Sequence, residues 1–157
     1  MTAATAASSG FMLAANAAAL ALKYAAVAAV KAAHPGVHVA VTEPVADYLL
    51  TALGADNLTR WTFQADIMNG VDPSPQNTAA ERDLFIQHKV KVLVCNQQVT
   101  DSLTQSFIAL AERSRIPVVG VYETMPAPGY DFQSWLGTEV RDLRRAITGN
   151  VSTEHPS

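Results

Sequence analysis

Apolar and polar positions alternate along this chain in blocks that predict four repeats of strand followed by helix. Val37 to Val41, Val90 to Cys95 and Pro117 to Val121 are short, almost continuous apolar runs, the pattern of strands covered on both faces. A weaker candidate, Trp61 to Gln64, takes the second strand position. Between the runs lie helical stretches. The first extends from Pro44 to about Leu53 and is closed by Gly54. The second opens with Ser74 as N-cap and Pro75 in the first turn and reaches about His88. The third extends from Thr100 to about Ser114, with Leu103, Phe107 and Leu110 on one face. The fourth follows the loop Met125 to Gly129 and spans Asp131 to about Thr148. Regular alternation of this kind predicts an α/β fold: a single three-layer lobe around a four-stranded parallel sheet with right-handed crossovers.

Ahead of the first strand, Phe11 to Val30 is apolar except for Asn16, Lys23 and Tyr24. Most of these residues are alanine, and Lys23 would fall near the hydrocarbon centre of a membrane span, where a charge is costly. Leu13, Leu20, Tyr24 and Val27 share one helical face. The segment therefore reads as a long alanine-rich helix lying along the lobe, stopped by His34-Pro35-Gly36. The resulting division is a disordered stretch 1–10, a linking helix 11–35, an α/β lobe 36–149 and a frayed polar tail 150–157. The first ten residues lack the Lys or Arg of a signal peptide, so a chain made as it stands is expected in the cytoplasm.

Composition narrows the function. With 157 residues and 49% hydrophobic positions the chain can bury one core, and a net charge of -3 with scattered basic residues offers no footprint for nucleic acid. The one cysteine, Cys95, ends a buried apolar run and reads as a packed thiol. None of the strand-to-helix turns carries the glycine pattern of a phosphate loop, and no serine or cysteine sits in a nucleophile elbow. His34 and His38 are separated by Pro35 and Gly36, so they do not share a helix face as a metal-binding pair would.

In parallel sheets ligands bind at the carboxyl edge of the strands. That edge collects Thr42, Glu43, Gln64, Asn96, Gln98, Tyr122 and Glu123. Two of these are carboxylates. Glu43 follows the first strand and precedes Pro44; Glu123 follows the fourth. Such oxygens suit a hard or borderline divalent cation. The same residues also admit plainer readings, in which Glu43 caps its helix and Glu123 is a solvated loop acid.

Four stretches stand in a telling order: Val39-Ala40-Val41-Thr42-Glu43 with Ala46-Asp47-Tyr48-Leu49 and Gly54, Gly70 with Asp72-Pro73-Ser74-Pro75, Lys89 to Val99, and Ile116 to Glu123. Through them the chain, from about Val37 to Ile147, resembles the carboxyl-terminal lobe of the metal-specific solute-binding proteins of bacterial ABC importers, the zinc, manganese and iron receptors. It departs at Asn96, where a glutamate is usual, and at Glu123, where aspartate is usual. The resemblance implies that Glu43 and Glu123 are metal ligands, with Thr42, Gln64, Asn96, Gln98 and Tyr122 lining the cleft. It implies no catalytic role and an extracytoplasmic setting. It further implies a divalent ion, Zn or Mn/Fe, held weakly by this lobe alone, because the family's two histidine ligands belong to an amino-terminal lobe that nothing here matches. The expected partners are that missing lobe and an importer permease, with self-association through the uncovered face. Two alternatives stay open: a small enzyme using Glu43 and Glu123 as an acid/base pair, and a truncated lobe serving only as an interaction module.

Overall fold

The computed structural model describes residues 20–125 and 129–155. The stretch 1–10, the first half of the alanine-rich segment and part of the Met125 to Gly129 loop lie outside them. Helix α1 (20–33) leads into β1 (His38–Val41). A 3-10 turn at Pro44–Ala46 then runs into α2 (Asp47–Leu53). After β2 (Asp56–Asn57) come α3 (Trp61–Met68), α4 (Pro75–Ile86), β3 (Val92–Asn96), α5 (Ser102–Arg113), β4 (Val118–Val121) and α6 (Phe132–Gly149).

The sheet has four parallel strands in the order β2-β1-β3-β4. The chain moves outward from β1 to β2, then crosses back to place β3 on the other side of β1. The topological switch point therefore lies between β1 and β3. Crevices open at the carboxyl ends of the strands at such points, because successive crossovers leave in opposite directions.

Because side chains of a strand alternate between faces, β1 and β3 feed two cores. Val39, Val41, Val92 and Val94 pack with Leu49, Leu50 and Leu53 of α2 and with Val140, Leu143 and Ile147 of α6. Ala40, Leu93 and Cys95 face the other way, onto Phe63 of α3, Phe85 of α4 and Phe107 of α5. Phe107 stands at the centre of this second core, 5.4 Å from the Phe63 ring edge to face and 6.0 Å from Phe85. Helix α1 joins the first core through Val30, with Ala26 and Val27 beside it. Leu20 and Tyr24 lie along an apolar groove with Tyr48, Leu49, Leu136 and Val140, yet both stay exposed.

Two elements differ from the sequence expectation. Trp61 to Gln64 is not a strand but the first half of α3. Its buried residues are Phe63, Gln64 and Ile67, a helical spacing, while Trp61 is exposed. The second strand is instead the polar pair Asp56–Asn57, held by the backbone bonds Asp56 N to Val37 O and Leu58 N to Val39 O, both 2.9 Å. Nor is the described part of the tail frayed. Thr153 forms a parallel bridge to Val119, with Gly120 N donating to Thr153 O at 3.0 Å and Thr153 N to Val118 O at 2.9 Å. Gly120 makes this possible: a β-carbon there would lie 1.9 Å from the carbonyl oxygen of Glu154. The tail thus covers the outer edge of β4, which would otherwise present unpaired backbone groups.

Candidate functional site

The residues that follow β1 and β4 at their carboxyl ends frame a cleft of about 260 Å³ in which Glu43 and Glu123 both stand. Its other walls are Pro44, Val45 and Tyr48 at the start of α2, Met68 at the end of α3, Tyr122, and Trp135 of α6.

Glu43 is fixed from both sides. Backbone pairing holds its neighbour, with Thr42 N donating to Val94 O at 3.0 Å, and Asn96 N donates to the Thr42 hydroxyl at 3.1 Å. Asn96 Nδ2 then donates to Glu43 Oε2 at 2.7 Å, a bond between the two strands that flank the switch point. Glu43 is only 4% exposed, and no side-chain cap bond joins it to the turn that Pro44 begins. The helix-capping alternative therefore lacks its bond. Burial raises the Glu43 pKa above its ordinary 4.5; the Asn96 bond opposes this, and the charges of Glu123 and Asp101 add to it. The Glu123 charge therefore reaches Glu43 across the cleft.

Glu123 is exposed, and its position is set through its backbone. Gln98 Oε1 accepts from Glu123 N at 2.8 Å and from Thr124 N at 3.0 Å, while Gln98 Nε2 donates to the Thr124 hydroxyl at 2.7 Å. Of the residues expected to line the cleft, Tyr122 does so, whereas Thr42, Asn96 and Gln98 brace the two acids from behind. Gln64 is elsewhere. It sits buried on α3, its Nε2 donating to Thr59 O at 2.9 Å and its Oε1 finding no partner among the described residues.

One buried acid beside the cleft was not singled out from the sequence. Glu139 of α6 is 4% exposed, and its Oε1 accepts from Tyr122 N at 3.1 Å and from Trp135 Nε1 at 2.9 Å. Burial pushes its pKa up, against the lowering effect of those two bonds and with a further rise from Asp142. A sequence signal existed: Glu139 interrupts the apolar stripe Trp135, Leu143, Ala146 and Ile147, where an acid is out of place unless it is bonded.

Among the described residues, no three His, Cys, Asp or Glu side chains converge tightly enough to hold a metal ion by themselves. What the cleft offers is two carboxylates, one buried and anchored and one exposed. Burial also pushes the Cys95 thiol up to about 11, so it remains protonated and packed.

The structure is thus a parallel α/β lobe with an acid on either side of its switch point and no phosphate-binding turn. The family model for the zinc-uptake complex component A, periplasmic, matches residues 12–146, and the chain belongs to this family of metal-uptake components. No curated protein and no solved structure matches the chain. No described helix is long and apolar enough to cross a membrane.

Proposed function

We propose that the chain is the carboxyl-terminal lobe of the substrate-binding component of an ABC metal importer, and that Glu43 and Glu123 give carboxylate oxygens to the transported divalent ion. The observation that carries this reading is the placement of Glu43: a buried carboxylate with no cationic partner among the described residues, one oxygen held by Asn96, at a cleft shared with a second acid. Keeping such a group out of water is costly unless something compensates its charge, and a divalent cation arriving as cargo does so. With Oε2 engaged by Asn96, Glu43 Oε1 is left to face the ion.

Two carboxylates leave a four- to six-coordinate ion mostly hydrated, so this lobe alone binds weakly and reaches full affinity only with ligands from a second lobe. The family description points to zinc as the cargo, while an all-oxygen half-site also suits manganese or iron. The exposed Tyr48 and Met68 on the rim give a second lobe, or a second copy of the chain, an apolar surface to close on. The permease of the importer would then receive the ion from the closed pair.

Native mass spectrometry during titration with Zn²⁺ and with Mn²⁺ tests this reading. One ion is expected to bind per chain, and the Glu43→Ala, Glu123→Ala double variant is expected to lose it while keeping the wild-type circular dichroism spectrum. Equal binding by wild type and double variant would remove the proposed site.

A further inference from the structure

Three successive backbone N–H groups, those of Tyr122, Glu123 and Thr124, donate to side chains remote in sequence instead of to the next strand. Tyr122 N reaches Glu139 Oε1, and the next two reach Gln98 Oε1. The turn that carries Glu123 is thereby gripped from α6 on one side and from the loop after β3 on the other.

The grip continues to the other acid. Gln98 N donates to Asn96 Oδ1 at 3.0 Å, and Asn96 Nδ2 holds Glu43. One hydrogen-bonded chain therefore runs from Glu43 through Asn96 and Gln98 to the backbone of Glu123. All three functions of the Gln98 amide agree in one orientation: its oxygen accepts two N–H groups and its nitrogen donates to a hydroxyl. A single oxygen of Glu139 likewise fixes the Tyr122 backbone and the Trp135 ring, both of them cleft walls.

Resting on the metal-binding reading above, we propose that Gln98 and Glu139 are positioning residues that hold the Glu123 turn at its working distance from Glu43 before any ion arrives. A carboxylate on a loose loop must lose conformational freedom when it ligates, and a turn already tied at three amides has lost most of it. Residues that orient ligands without touching the ion usually matter about tenfold or more in affinity. Glu123 itself is exposed, and among the described residues no salt bridge holds its side chain, so its reach is governed by these backbone ties.

Gln98 is exposed, so Gln98→Ala leaves both cores intact. In metal-free protein, amide hydrogen exchange by NMR is expected to speed up about tenfold at Glu123 and Thr124 in Gln98→Ala. In Gln98→Glu, whose carboxylate still accepts both N–H groups, it is expected to stay near wild type. Glu139→Leu should do the same at Tyr122, and Glu139→Gln, which keeps an acceptor oxygen, should restore protection. In a competition titration with Zn²⁺, Gln98→Ala is expected to weaken binding about tenfold in the native background and not at all in a Glu123→Ala background. Unchanged amide exchange, or an equal affinity loss in both backgrounds, would overturn the proposal. Should wild-type protein bind no ion, the metal reading fails, and the exchange measurements alone decide whether Gln98 and Glu139 hold the turn.

Discussion

Glu81→Gln is expected to be more stable than the wild type at pH 9 by on the order of 4 kcal/mol, and about equally stable at pH 5. Glu81 of α4 is 3% exposed, and its Oε1 accepts from the Thr59 hydroxyl at 3.0 Å. That hydroxyl in turn accepts from Val41 N at 2.9 Å, so α4 is tied to β1 through one threonine. Arg60, Asp83 and Lys89 share the adjoining hollow, but among the described residues no salt bridge reaches Glu81. Burial therefore dominates and raises its pKa from 4.5 to about 8, the Thr59 bond opposing. An acid whose folded pKa lies above its unfolded one binds more protons in the native state, so stability falls as pH rises from about 4.5 to about 8 and levels off beyond. Glutamine keeps the acceptor for Thr59 and cannot ionise, so the variant should lose most of that fall. Urea denaturation across this pH range checks it, and parallel curves for the two proteins would contradict it.

The second large effect concerns the cleft. Below the pKa of Glu43 a proton competes with the ion for its carboxylate, so affinity for Zn²⁺ should drop about tenfold per pH unit. The drop should begin above the ordinary glutamate value of 4.5, because burial raises the Glu43 pKa. Asn96→Leu removes the bond that holds this pKa down, so the onset should move to still higher pH. Isothermal titration calorimetry at a series of pH values, with a competing chelator of known proton linkage, reads both. An onset at the same pH in Asn96→Leu and wild type would show that the Asn96 bond does not govern Glu43.

Much of this architecture was written in local signals. Three strands announced themselves because burial on both faces demands unbroken apolar runs, and the helices carried their own punctuation. Ser74 caps α4 through Asn77 N, Gly54 ends α2 in the left-handed region at φ 68°, and Asp131 with Ser134 forms the capping box of α6. What stayed hidden was supplied by partners distant in the chain. Asp56 and Asn57 are polar and form a strand only because β1 offers them an edge. The tail gains its order from β4 and from the space left at Gly120. In α3 the eight residues are too few for the helical period to stand out, and the exposed Trp61 beside the buried Phe63 mimicked a strand.

The site divides in the same way. The position of Glu43 and Glu123 at the cleft was legible because each follows an apolar run by two residues, which ties it to the sheet edge. Gln98 was placed at the sheet edge, but neither its grip on the Glu123 turn nor Glu139 could be read there, since their bonds to that turn span 25, 26 and 17 residues and depend on how β3, β4 and α6 come together. Gln64 was misplaced for the converse reason, because its position rested on a strand that is a helix.

The most direct test of the central claim is anomalous diffraction from crystals of this chain soaked with Zn²⁺ or Mn²⁺. A peak between Glu43 and Glu123, with carboxylate oxygens at roughly 2.0–2.2 Å, is the predicted result. Ions bound only at surface histidines such as His38 or His155, with the cleft between the two glutamates left without a peak, would contradict it.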